Sequence, residues 1–287
     1  RPAPPSPFLF ARPAMRQRDL ACHATADATT APAPASTPDL TFYMKGSPEG
    51  KMLDCPFAHF AQLVLAHKGA PYTLVPTSPC TKPDWLLNDH EGKLPCLVTE
   101  DRATGARTVT TDSMAIAKYI DAELFPDVCP LAGAGYEEAL QAVSPFFGAM
   151  AGFVKNNDPA LDPEKEKALQ EALDAVERRL QAQTGPYLCG ETLTLADLSL
   201  VPKLYHAVIA LRRFKNLDIY PFFLPRSEGL YVGESAEQLA ARVRAAQSRP
   251  RLEEYMQAQF ESKEFLDEQC FCAWEIVAQG WGKARGD

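Results

Sequence analysis

The stretch DCPFAHF, residues 54–60, sets one cysteine, Cys55, between an acid and a proline and follows it with apolar residues at helical spacing. A cysteine at the first turn of a helix faces free backbone N–H groups and the positive end of the helix dipole. That position lowers a thiol pKa from about 8.5 into a range of roughly 3.5 to 7.5, so that thiolate can predominate at neutral pH. Pro56 suits a first helical position, where its missing N–H costs no hydrogen bond. Ala58 stands where a C-x-x-C motif would carry a second cysteine, so an oxidised Cys55 needs a resolving thiol from elsewhere. Asp54 acts in the opposite sense and would raise the thiol slightly. The alternative for Cys55 is a small residue that merely opens a helix.

Other short segments carry weaker signals. In GKLPCL, Pro95 leads into a strand, and a cis bond there would present the backbone of Leu94 to a peptide-like ligand. In TDS, Asp112 and Ser113 stand at a predicted helix start, where free N–H groups can hold a carboxylate or Asp112 can act as an ordinary cap. Thr194 and Asp197 have the spacing of a capping box and read as structural, as does Pro95. His59 and His67 ride on the Cys55 helix without further ligands, and His206 reads as a satisfied core histidine. Cys96 and Cys189 read as core and Cys80 as a loop residue, while Cys270 and Cys272 form a C-x-C with no second pair. No metal site is expected. There is no G-x-S-x-G, no P-loop and no G-x-G-x-x-G, which leaves hydrolase, nucleotide and dinucleotide readings without support.

The elements that must position these residues follow from periodicity. Leu40, Phe42 and Met44 alternate with polar neighbours and predict a strand. Phe57, Phe60, Ala61, Val64 and Leu65 fall on one face of a helix that Gly69 ends. PYTLV, 71–75, predicts a second strand, a short segment follows at 83–87, and LPCLVTE and RTVTT predict two more strands. DSMAIAKYIDAEL then predicts a helix begun by Asp112 or Ser113. This β-α-β-α-β-β-α order is that of a thioredoxin-like domain, placed at 39–126. PDVCPLAGAG, 126–135, reads as a linker. Residues 136–287 read as an all-helical domain, with Leu169, Leu173, Val176 and Leu180 as one apolar stripe and a long loop at 215–235.

Composition bounds the rest. The 287 residues carry a net charge of −8 and eight cysteines spread along the chain. An acidic balance argues against a nucleic-acid partner. The cysteines lack the density of a small secreted disulfide framework. No apolar run approaches the ~20 residues that span a bilayer, so no stable membrane association is expected. Residues 1–38 are crowded with Pro, Ala, Ser and Thr, carry Arg1, Arg12, Arg16 and Arg18, and meet their first acid at Asp19. That composition predicts a transit peptide, with a disordered leader as the alternative.

Taken together, DCPF, KPDWLL, EGKLPCLV, TDS, LTLADLSLVPKLYH and AWEIVAQGW resemble the glutathione transferase superfamily, and within it the dehydroascorbate reductases of plants and green algae. The resemblance covers residues 40–287. It implies an α/β plus all-α fold, an N-terminal thioredoxin-like domain with a C-terminal helical domain. It implies reduction of dehydroascorbate through Cys55, glutathione as co-substrate, no tightly bound cofactor, and a monomer. By similarity Lys45 and Asp54 flank the substrates, Lys82 binds a glutathione carboxylate, Leu94 offers backbone groups, and Asp112 with Ser113 holds the γ-glutamyl end. His206 and Trp281 match positions near the pocket on the helical side. The family places the chain in the chloroplast stroma, with mitochondrion or cytosol as alternatives. The sequence departs from the family's C-P-F-S-Q-R at Ala58, His59 and Phe60, losing a hydroxyl and a cation, and its loop near 215–247 is longer. An omega-like thiol transferase and a glutathione-binding protein of the chloride-intracellular-channel kind are the alternative functions.

Overall fold

In the computed structural model, residues 38–220, 249–266 and 273–286 are described. The leader, most of the 215–235 loop and the Cys270/Cys272 pair lie outside them. β1 (Asp39–Lys45) alternates as its sequence requires: Leu40, Phe42 and Met44 are buried on one face, and Tyr43 points to the other. α1 (Pro56–His67) follows, then β2 (Thr73–Thr77), α2 (Asp84–His90), β3 (Cys96–Glu100), β4 (Arg107–Thr111) and α3 (Ser113–Tyr119). The four strands form one sheet in the order β2-β1-β3-β4, with β1 and β2 parallel and the other pairs antiparallel.

β2 begins two residues later than its sequence suggests. Pro71 has no N–H to give a ladder, and pairing with β1 starts at Thr41↔Thr73. Pro76 is tolerated because β2 is an edge strand. The helix predicted from 112 through 124 is α3 followed by a wider π turn, Ile120–Leu124. Two cores flank the sheet. The larger packs α1 and α3 on Leu40, Phe42 and Met44, while Leu86 of α2 covers Cys96 and Val98 on the other face. Tyr43 meets Trp85 there edge-on at 5.4 Å.

The helical layer comprises α4 (Tyr136–Val143), α5 (Pro145–Lys155), α6 (Asp162–Gln181), α7 (Leu195–Lys215), α8 (Pro250–Phe260) and α9 (Trp274–Arg285). α7 is buried along nearly its whole length and packs on α1, which makes it the seam between the two layers. Its start is fixed by the capping box, with Thr194 N–H donating to Asp197 Oδ2 at 2.9 Å. Asp197 also accepts from Leu188 N–H and the Tyr255 hydroxyl. Leu169, Leu173, Val176 and Leu180 are buried, as their stripe predicts.

The other end of α1 is tied to the linker. Lys68 caps the helix, and its fully buried ammonium lies 2.6 Å from Asp121 Oδ1 while donating to the carbonyls of Phe125, Val128 and Cys129. Asp121 accepts in turn from the N–H groups of Leu131 and Ala132. Residues 125–135 carry no helix or strand, so this buried ion fixes a path that regular structure does not.

Candidate functional site

The sheet register gathers the candidate residues at one end. Tyr43 pairs with Cys96 and Cys96 with Thr111, so the end of β1 that leads to Lys45 lies beside the start of β3, just after Leu94 and Pro95, and the end of β4, just before Asp112 and Ser113. The α1 start opens onto the same end. Leu94–Pro95 is a cis peptide. Lys82, just before α2, donates to the Gly92 carbonyl at 2.7 Å, two residues from Leu94. Asp112 takes a positive φ of 74° and caps α3, accepting from Met114 and Ala115 N–H at 3.0 Å each. Ser113, first in that helix, is buried.

Cys55 is the N-cap of α1, with extended backbone (φ −161°, ψ 105°) and Pro56 at the first helical position. Its sulfur accepts from Ala58 N–H at 3.4 Å. The sequence reading expects these features to lower the thiol, and the structure corrects that expectation. Burial pushes the Cys55 thiol up. The N–H groups of Ala58 and Phe57 and the charge of Lys45 oppose that rise, and Asp54 adds to it. The helix-start effect is present, but desolvation outweighs it.

Asp54 Oδ1 lies 2.9 Å from Lys45 Nζ. Burial pushes its carboxyl above the usual range, and Lys45, through hydrogen bond and charge, pulls it back. The wall over this pair comes from α9. A Cβ on Gly280 would fall 2.0 Å from Asp54 Oδ2, so the carboxylate occupies the space a side chain would fill. Next to it, Trp281 Nε1 donates to His206 Nδ1 at 3.2 Å. That bond places the proton of a neutral His206 on Nε2. Burial, with the nearby His59 and Lys45, lowers His206 to about 3. Phe57 and Phe147 meet edge-on at 5.2 Å, and Phe147 leads on to Trp281 at 6.2 Å.

Gly280 escapes the sequence reading, although a glycine inside a helix costs ~1 kcal/mol relative to alanine and so asks for a reason. His59, which the sequence placed on the Cys55 helix without further ligands, is buried against Phe265, neither ring nitrogen has a hydrogen-bond partner, and burial lowers it to about 4. His67 faces Glu264 at 3.2 Å. Cys55, Cys80, Cys96, Cys129 and Cys189 are free, and the described residues contain no cluster that could hold a metal ion. None of the described helices is long and apolar enough to cross a membrane.

Residues 54–123 match the glutathione S-transferase N-terminal domain and residues 137–258 its C-terminal domain. Glutathione S-transferase DHAR2 of Arabidopsis thaliana is 35% identical over 167 residues, 58% of this chain and 73% of that protein. The chain belongs to the glutathione S-transferase superfamily, in its dehydroascorbate reductase group. Within that group, glutathione S-transferase DHAR3, chloroplastic, of Arabidopsis thaliana is 31% identical over 189 residues, 64% of this chain and 68% of that one. The crystal structure of Chlamydomonas reinhardtii dehydroascorbate reductase superposes with a TM-score of 0.64 at 28% identity, covering 87% of this chain and 100% of that one. The transferase fold is therefore the α/β plus all-α arrangement expected, with the two domain matches falling on either side of the linker.

Proposed function

We propose that this transferase reduces dehydroascorbate to ascorbate with glutathione, through Cys55 as the single reacting thiol. The observation that carries the reading is Cys55 Sγ at the α1 start, next in the chain to Asp54, which pairs with Lys45 and lies against Gly280. Membership of the dehydroascorbate reductase group supports the substrate.

The chemistry balances with one thiol. Dehydroascorbate needs two electrons and two protons. The Cys55 sulfur supplies the electrons, and with water as the oxygen source becomes a sulfenic acid. A thiol that burial keeps protonated brings one of the two protons with it, and the water brings the other. Lys45 and Asp54 hold the substrate oxygens beside the sulfur. One glutathione condenses with the sulfenic acid, releasing water and leaving a mixed disulfide. A second glutathione thiolate attacks the glutathione sulfur, and Cys55 leaves as thiolate with glutathione disulfide as product. Lys82, the Leu94 backbone and Asp112 with Ser113 hold the first glutathione, while His206 and Trp281 close the pocket.

The test follows ascorbate absorbance with purified protein, dehydroascorbate and glutathione. Cys55→Ser is expected to fall to the uncatalysed rate, and equal rates in the two proteins would refute the Cys55 mechanism. A preference for glutathione mixed disulfides over dehydroascorbate would move the reading to an omega-like thiol transferase. The leader composition and a chloroplastic relative support a stromal enzyme after transit-peptide removal. The N-terminus of protein isolated from the organism tests that, since a retained leader would refute it. Sedimentation of the purified protein tests the expected monomer.

A further inference from the structure

The reaction consumes two glutathiones, and the residues on the sheet side account for one. The wall opposite them carries a cation with no counter-ion. Lys203 lies on α7 one turn before His206, mostly buried, and its ammonium donates to Ser199 Oγ at 2.9 Å. It stands 6.0 Å from the ring of Phe57, the second residue after Cys55. Among the described residues no carboxylate lies within ion-pairing distance of it. Burial lowers its pKa, the sign of an ammonium that has lost water without gaining a charge partner. Lys68 shows what this protein does with a buried lysine whose role is structural: it surrounds it with Asp121 and three carbonyls. From Phe57 the aromatic row runs through Phe147 to Trp281, where the exposed Lys155 stands 5.9 Å from the indole ring. Lys203 is thus a partly buried cation beside an aromatic row.

We propose that Lys203 is the carboxylate receptor for the second glutathione, the one that attacks the Cys55–glutathione disulfide. The assignment rests on the glutathione-dependent reading above. Glutathione carries two carboxylates, whereas dehydroascorbate carries none, so a fixed ammonium on this wall discriminates between them. In the step served, the second glutathione gives its proton to solvent and its thiolate bonds to the sulfur of the first. The bond to Cys55 breaks, and Cys55 leaves with the electron pair. Because the first glutathione occupies the sheet end, the second approaches from the helical wall. There Lys203 forms a charge-assisted hydrogen bond in a partly desolvated setting, where such bonds are strong.

The experiment loads Cys55 with glutathione by treatment with glutathione disulfide, verifies one adduct by mass, and follows its release. The releasing thiol is either glutathione or 2-mercaptoethanol, which has no carboxylate. Lys203→Met is expected to slow release by glutathione by about tenfold or more while release by 2-mercaptoethanol changes by less than about twofold. Lys203→Arg, which keeps the charge, is expected to restore most of the glutathione rate. Met slowing both thiols alike, or neither, would overturn the assignment. Failure of the wild-type protein to form the adduct would instead overturn the glutathione mechanism, and this assignment with it.

Discussion

Each end of α1 sets a lysine against an aspartate, and the two pairs have opposite fates. At the C-terminal end Lys68 and Asp121 are 2.6 Å apart with side chains 0% and 4% exposed. Every donor and acceptor there is taken up by the linker backbone. At the N-terminal end Lys45 and Asp54 are 2.9 Å apart, but Lys45 is 50% exposed and Asp54 13%. Asp54 also lies against the bare backbone of Gly280 and feels the charge of Lys283. The same two residue types thus make a saturated joint at one end and an unsaturated, half-wet pair beside a thiol at the other. Saturation, more than charge, separates the structural pair from the one left available to a substrate.

The comparison breaks most sharply on stability. Asp121→Asn leaves the Lys68 ammonium buried without a counter-ion, and should cost ~3–5 kcal/mol in urea unfolding. Lys45→Met should cost less than ~1 kcal/mol, because an exposed pair contributes little, while ascorbate formation falls by about tenfold or more. Similar losses of stability in both variants would end the distinction.

Acid provides the next test. His59 and His206 are buried neutral, and burial lowers them from histidine's ordinary 6.5 to about 4 and about 3. The unfolded chain binds more protons than the folded one in that window, so stability should be full above pH 6.5 and fall as the pH drops toward 4. The loss attributable to His59 is on the order of 3 kcal/mol at the acid end, and thermal melts of His59→Leu should show a correspondingly flatter acid limb. Unchanged acid sensitivity in that variant would remove His59 from the account.

Gly280→Ala sharpens the N-terminal side. Alanine favours the helix by ~1 kcal/mol, so the fold should hold while Asp54 is displaced, and turnover is expected to fall by about tenfold. Asp54→Asn separates two roles of one carboxylate. Removing its charge relieves the rise it imposes on Cys55, so alkylation by iodoacetamide near neutral pH should quicken a few-fold. Turnover with dehydroascorbate should fall in the same protein. Parallel changes in the two assays would contradict the roles assigned here.

The sequence discloses what is local. Alternation along residues 40–44, the Cys55 helix face and the Thr194–Asp197 cap are readable because their partners lie within a few residues. Family motifs add Lys45, Lys82, Leu94 and Ser113, and the strand register brings together the strand ends that carry or adjoin three of these. What stays hidden depends on distant packing. The start of β2 is set by its pairing with β1, and the π turn at 120–124 has no mark in IDAEL. Gly280 meets Asp54, and Lys203 meets Phe57, only after the helical layer folds over α1. The ionisation of Cys55 is misjudged for the same reason: a dipole can be read from a helix start, but burial cannot.

The grip of Lys68 on the linker has a consequence for how this segment can drift over generations. The ammonium holds carbonyls of residues 125, 128 and 129, and every amino acid supplies a carbonyl. Side chains at an exposed position such as Val128 are therefore free to change without disturbing the joint. An insertion or deletion of a single residue between 125 and 131 is not, since it would slide the carbonyls past the ammonium and the Leu131 amide past Asp121. What inheritance must preserve there is a count of residues, while the letters themselves can vary.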